Sequence, residues 1–177
     1  MASIFDNITY GGHAVPESTL MMATSAGSHF YNMVANVDID NGAPLLLKPE
    51  NYQEADLFLA EIPTTTDKIV LALNAPKIYH EYMKKDQEES NYYIGKGEAI
   101  RAYEVFETDR FTIDALGFTE DSVPAVGKYV VVSGTEYKFA VVDTEPQGTH
   151  GFVGYIYTLS NNGKYRIFVK RNRAVEA

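Results

Sequence analysis

Between residues 98 and 170 the chain is a near-unbroken succession of strand-forming runs, and this more than any other feature limits what it can become. Glu98 to Phe106, Arg110 to Asp114, Lys128 to Val132, Glu136 to Val142, Gly151 to Leu159 and Lys164 to Val169 are rich in β-branched and aromatic residues, with turn residues between them. Short runs spaced this closely pack as an antiparallel barrel or sandwich, because each must bury one face against another sheet. The expected fold class is mainly β, with at most one or two short helices.

Upstream, the pattern is less regular. Tyr31, Met33, Ala35, Val37 and Ile39 recur with a period of two, which predicts a single half-buried strand up to a turn at Asp40-Asn41-Gly42 and Pro44. Leu45 to Leu47, Ala55 to Ile62 and Lys68 to Leu73 are further apolar runs, the last expected as a buried strand. The spacing of Ile78, Tyr79, Tyr82 and Met83 predicts a short helix with Asn74 near its N-cap, and Gly95-Lys96-Gly97 reads as the hinge into the β region. Ser133-Gly134 predicts a tight hairpin, Asn161-Asn162-Gly163 a second one through a type I′ turn, and Asp143 to Gly151 an exposed loop.

Residues 1–28 sustain neither period. They hold Phe5, Ile8, Tyr10 and Leu20 as isolated anchors among Gly, Pro, Ser and Thr, and read as an extended arm ahead of one β-rich domain at 29–177. Fully extended, the first half of that arm could reach about 50 Å and lie across a neighbouring molecule. Folding back onto its own domain is the alternative.

A chain of 177 residues suits one domain. The absence of cysteine excludes a disulfide framework, a thiol nucleophile and a cysteine-ligated zinc or iron-sulfur site. The net charge of -9 opposes non-specific nucleic-acid binding, which rests on lysine and arginine against phosphate. No apolar stretch approaches the roughly 20 residues of a membrane helix. Met1 to Asp6 lacks the basic start and apolar core of a signal peptide, so a soluble protein is expected.

No motif supplies reactive chemistry. His13, His29, His80 and His150 are scattered without a metal-ligand spacing. Aligning Gly42 with the glycine of a calcium loop puts Val37, Ile39 and Lys48 at ligand positions, where they cannot serve. Gly95-Lys96-Gly97 lacks the spacing of a phosphate-cradling loop. The pairs Glu88 with Glu89 and Glu104 with Glu107 read as solvated neighbours. No catalytic residue, metal ligand or cofactor is expected.

One charge feature stands out. Lys164, Arg166, Lys170, Arg171 and Arg173 gather at the C-terminal end of an acidic chain. They either pair with this protein's own carboxylates or steer docking onto an acidic partner. With Phe5, Ile8 and Tyr10 of the arm they make the candidate partner-binding set. Tyr92, Tyr93, Tyr155 and Tyr157 are stacking candidates for a carbohydrate.

The stretch Ile69 to Pro76, followed by Lys77-Ile78-Tyr79, then Gly97 to Tyr103 and Asp109 to Asp114, resembles small structural proteins of tailed bacteriophages. In these a valine-rich strand ending near proline precedes a Gly-x-x-x-Arg-x-Tyr strand and an Asp-x-Phe-x-Ile/Val strand. The resemblance implies a capsid decoration or cement protein: a β-barrel-like domain made in the host cytoplasm and placed on the virion's capsid surface. It would bind the major capsid protein without reaction or cofactor, and without nucleic acid or membrane as partner. A homo-oligomer, such as a trimer on a local three-fold axis, fits that role. A head-fibre or receptor- and carbohydrate-binding module, or a tail or neck protein, are the alternatives. Arg101 and Tyr103 would share a strand face, and Asp109 would fall in the turn before Phe111.

Overall fold

The computed structural model describes residues 12–17, 29–52, 57–76 and 89–175. They form β1 (Phe30–Val34), β2 (Ile39–Asp40), β3 (Pro44–Leu45), β4 (Leu57–Leu59), β5 (Val70–Ala72), β6 (Tyr93–Ile94), β7 (Ala99–Glu104), β8 (Arg110–Ile113), β9 (Tyr129–Val132), β10 (Phe139–Val142), β11 (Phe152–Leu159) and β12 (Tyr165–Asn172). The molecule is mainly β, with curled sheets in a half-barrel, sandwich-like arrangement. Helical structure among the described residues is limited to 3-10 turns at Pro49–Asn51, Glu89–Asn91 and Ala115–Gly117. No described helix is long and apolar enough to cross a membrane.

The first sheet has the order β3-β5-β7-β1-β4 and is antiparallel except for β1 beside β4. It curls until its edges meet, where Leu46 and Glu61 exchange backbone hydrogen bonds of 2.9 and 3.5 Å. The meeting leaves little open edge for another chain to pair with. Met33, Leu45, Val70, Ile100 and Ala102 fill its concave side, under a ribbon in which Ile39 of β2 faces Ile94 of β6.

The second sheet, β10-β9-β11-β12-β8, is antiparallel throughout. Its inner face carries Phe111, Val130, Phe139, Phe152, Ile167 and Val169, which pack with Ile69, Leu71 and Leu73 of the first sheet's outer side. Phe139 sits 5.7 Å from Phe111 and 5.6 Å from Phe152, ring centroid to centroid. β5 therefore has cores on both faces, Leu71 turned to one and Val70 and Ala72 to the other. Burial on both sides is why its sequence is a continuous apolar run. Asn172 stitches the layers: its Oδ1 accepts from the Ile69 N–H at 2.9 Å, and its Nδ2 donates to the carbonyls of Ile69 (2.9 Å) and Val105 (2.7 Å).

Several expectations need correction. The single strand expected through Ile39 stops at Val34, and Val37 is 48% exposed. The hinge docks at that break, with Lys96 N–H donating to Asp38 Oδ1 (2.7 Å) and Gly97 N–H to the Ala35 carbonyl (3.0 Å). The Gly42 turn forms as expected, at φ 87. The β9–β10 hairpin closes through Ser133 N–H to the Lys138 carbonyl (3.0 Å), a wider loop than Ser133-Gly134 alone. There Tyr137 leaves the sheet and its hydroxyl donates to Ala60 of the barrel at 3.3 Å. The Asn161-Asn162-Gly163 turn is not type I′, which requires positive φ at both central residues. Gly163 has φ 79, but Thr108 is the sole described non-glycine residue with positive φ.

The short helix expected after Pro76 falls on residues 77–88, outside the described residues. Asn74 itself serves β7, with Nδ2 donating to the Ala99 carbonyl and Oδ1 accepting from Arg101 N–H. Residues 12–17 of the arm lie along the free edge of β8 in their own domain. Val15 N–H donates to Asp114 Oδ2 (3.0 Å) and Glu17 N–H to the Thr112 carbonyl (3.1 Å), with Ala14 and Val15 buried.

Candidate functional site

In an antiparallel sheet, residues directly opposite each other share a face. Across the second sheet Val142 pairs with Tyr129, Tyr129 with Tyr155, Tyr155 with Phe168, and Phe168 with Arg110. The neighbouring row, Val141, Val130, Gly154 and Val169, belongs to or packs on the inner core, so this row points outward. The result is a band of half-buried apolar and aromatic side chains across the sheet, ending in an exposed arginine. Tyr129 and Tyr155 stand 5.3 Å apart with their rings tilted by 54°. Rings leaning on one another at that angle form a contoured surface.

Cations border the band. Lys170 Nζ lies 5.2 Å over the Tyr129 ring and 2.6 Å from Glu145 Oε1. Lys128 pairs with Asp143 at 3.1 Å. Arg166 lies on the same face, opposite Thr112 and Thr158. The hydrogen bond from Lys170 holds the Glu145 carboxyl below its ordinary value and raises the Lys170 ammonium above its own. Both groups stay charged through the neutral range.

The structure thus divides the five basic residues expected to act together. Arg166 and Lys170 border the outer band, and Arg171, a half-buried residue, stands opposite Val153. Lys164, in the β11–β12 hairpin, acts electrostatically on Asp114, and Arg173 is exposed beyond the end of β12. Phe5, Ile8 and Tyr10 lie outside the described residues. The four tyrosines proposed for stacking are also separated. Tyr92 packs on the barrel core and Tyr93 against His13 at 4.9 Å, whereas Tyr155 belongs to the outer band and Tyr157 sits at the β11 irregularity between Ile156 and Thr158. Sequence reasoning missed Tyr129, Phe168 and Arg110. Alternation marks each as outward on its own strand, but only strand register places them side by side.

The remaining polar groups serve the fold. His13 Nδ1 meets Asp40 Oδ1 at 2.7 Å, and His150 Nδ1 meets Thr149 Oγ1 at 2.9 Å. Glu104, expected to be solvated beside Glu107, is 6% exposed, because it faces the barrel side opposite Val70. Lys68 Nζ and His29 Nδ1 hold its carboxylate. No group of three metal-ligating side chains occurs among the described residues. Arg101 and Tyr103 share one face of β7, with the Arg101 guanidinium 4.8 Å from the Phe30 ring. Asp109 caps the turn before Phe111 by accepting from Phe106 N–H at 2.8 Å.

Comparison with known proteins adds no identity. No family model, curated protein or solved structure matches the chain. The outer band has π faces, aliphatic surface and bordering cations, and carries no nucleophile. Such a surface suits docking onto a partner that presents apolar groups and carboxylates.

Proposed function

We propose that this is a non-enzymatic structural protein of a tailed-phage particle, seated on the outside of the head and bound to the major capsid protein as a decoration or cement protein. The observation that carries the docking part is the outward row Val142, Tyr129, Tyr155, Phe168 and Arg110, bordered by Arg166 and Lys170. The resemblance through Ile69 to Pro76, Gly97 to Tyr103 and Asp109 to Asp114 supplies the phage head as its setting. An acidic body whose aromatic face carries Arg110 and Arg166, with Lys128 and Lys170 paired to Asp143 and Glu145, turns that face toward an acidic surface. Many copies on a shell make a modest contact decisive. Cementing further requires tighter binding to the mature shell than to its precursor, since equal affinity for both shifts nothing.

The test is to count this protein in purified particles and to heat particles made without it. Copies on the order of hundreds per particle, and rupture at lower temperature without the protein, are expected. A handful of copies would place it in a tail or neck, and absence from particles, or equal heat resistance without it, would end the cement reading.

A further inference from the structure

Arg171 is held in an unusual electrostatic setting. Its Nε and Nη2 are both buried, and neither makes a hydrogen bond to any described residue. These two nitrogens form one edge of the guanidinium, the edge that grips two oxygens of a carboxylate or phosphate side by side. A guanidinium edge buried without hydrogen-bond partners is costly, and the nearby Glu145 carboxylate, though it feels the Arg171 charge, does not fill it, so the edge asks for an anion.

The surroundings fit one. Arg171 stands opposite Val153 next to a bulge, at the end of the second sheet where the 143–151 connection passes from β10 to β11. Val153 is 2% exposed. Two ion pairs tether the connection, Asp143 to Lys128 at 3.1 Å and Glu145 to Lys170 at 2.6 Å. The Glu145 carboxylate is thereby engaged by Lys170 and does not bond the Arg171 edge. Burial, and then the Arg171 charge, lower the pKa of His150, so its ring is neutral at pH 7 and leaves the site's positive charge to Arg171 and Lys170. Gly148, at φ 73, makes the turn at the connection's outer end.

We infer that Arg171 and the 143–151 connection form a binding site for a small oxyanion, a carboxylate or phosphate group. The guanidinium edge is the seat and the connection is a flap over it. Entry lifts the flap and breaks the Lys170–Glu145 pair. The site stands independently of the shell-binding role, since it requires no capsid.

The experiment follows the Arg171 Nε–H resonance of the isotope-labelled full chain while sodium phosphate, or separately sodium acetate, is added against sodium chloride at matched ionic strength. A saturating shift with phosphate or acetate, and none with chloride, is expected, and the ion that saturates distinguishes a tetrahedral from a planar occupant. No saturating shift with either ion overturns the site. Followed through the His150 ring, Arg171→Gln should weaken binding at least about tenfold, the worth of a charged hydrogen bond. Unchanged affinity would also overturn it. Glu145→Gln frees the flap and leaves the seat intact, so it should tighten binding; equal or weaker affinity would contradict the flap.

Discussion

Asn172 shows how a single polar side chain can fix the relation of two sheets. It satisfies the Ile69 N–H and the carbonyls of Ile69 and Val105 from a position 7% exposed. Asn172→Ala leaves these buried groups unpaired, at about 1–3 kcal/mol each, so a loss of roughly 3 kcal/mol or more in urea unfolding is expected. A loss within about 0.5 kcal/mol, as at an ordinary surface site, would show that the bonds do not hold the sheets together. Asp114 gives a pH dependence. Burial raises its carboxyl above the ordinary aspartate value, although the N–H groups of Val15, Leu116 and Gly117 pull the other way. Its folded value exceeds the unfolded one, so its contribution to stability is complete below the unfolded pKa of about 3.9 and is lost as pH rises through the raised value. Asp114→Asn should remove that decline from a plot of Tm against pH, and an unchanged slope would contradict it. The sequence offers little warning at this scale: Glu104 and Glu107 look alike, and only β7's face and Lys68 from another part of the chain decide that Glu104 is buried.

At the scale of elements, most strands were legible because alternation and turn residues are local signals. All six runs expected between residues 98 and 170 contain a strand, from β7 to β12. The failures have non-local causes. The alternation from Tyr31 to Ile39 persists through a bend that a loop 58 residues away imposes at Asp38. The start of β10 shifts to Phe139 because Tyr137 is drawn to Ala60, 77 residues away. Glycines give a sharp test. A Cβ on Gly151 would overlap the backbone carbonyls of Thr66 and Asp67, which cannot swing aside, whereas one on Gly148 meets nothing within 4 Å. Gly151→Ala should cost about 2–3 kcal/mol or more and Gly148→Ala about 1 kcal/mol, the penalty of its left-handed backbone. The reverse order in thermal unfolding would show that the approach of β11 to the Thr66–Asp67 turn is wrong.

For the whole molecule, the fold class was readable and the outer aromatic band was not. Mainly β architecture follows from the succession of short apolar runs, but the pairing of Val142, Tyr129, Tyr155, Phe168 and Arg110 depends on the register of five strands, which no single run encodes. The basic cluster was visible in the sequence as a set, and the pleat sends only part of it to the outer band. If that band meets an acidic shell, Arg166→Gln combined with Lys170→Gln should slow association and flatten its dependence on salt. An unchanged salt dependence would take the cations out of the contact. The most direct measurement is co-sedimentation of the purified protein with phage heads that lack it, comparing the native chain with a Phe168→Glu variant of matched Tm. The native chain should saturate the heads, and the variant should need at least about tenfold more protein to do so, as for a residue at the centre of an interface. Equal saturation by both would contradict docking through the outer face of the second sheet.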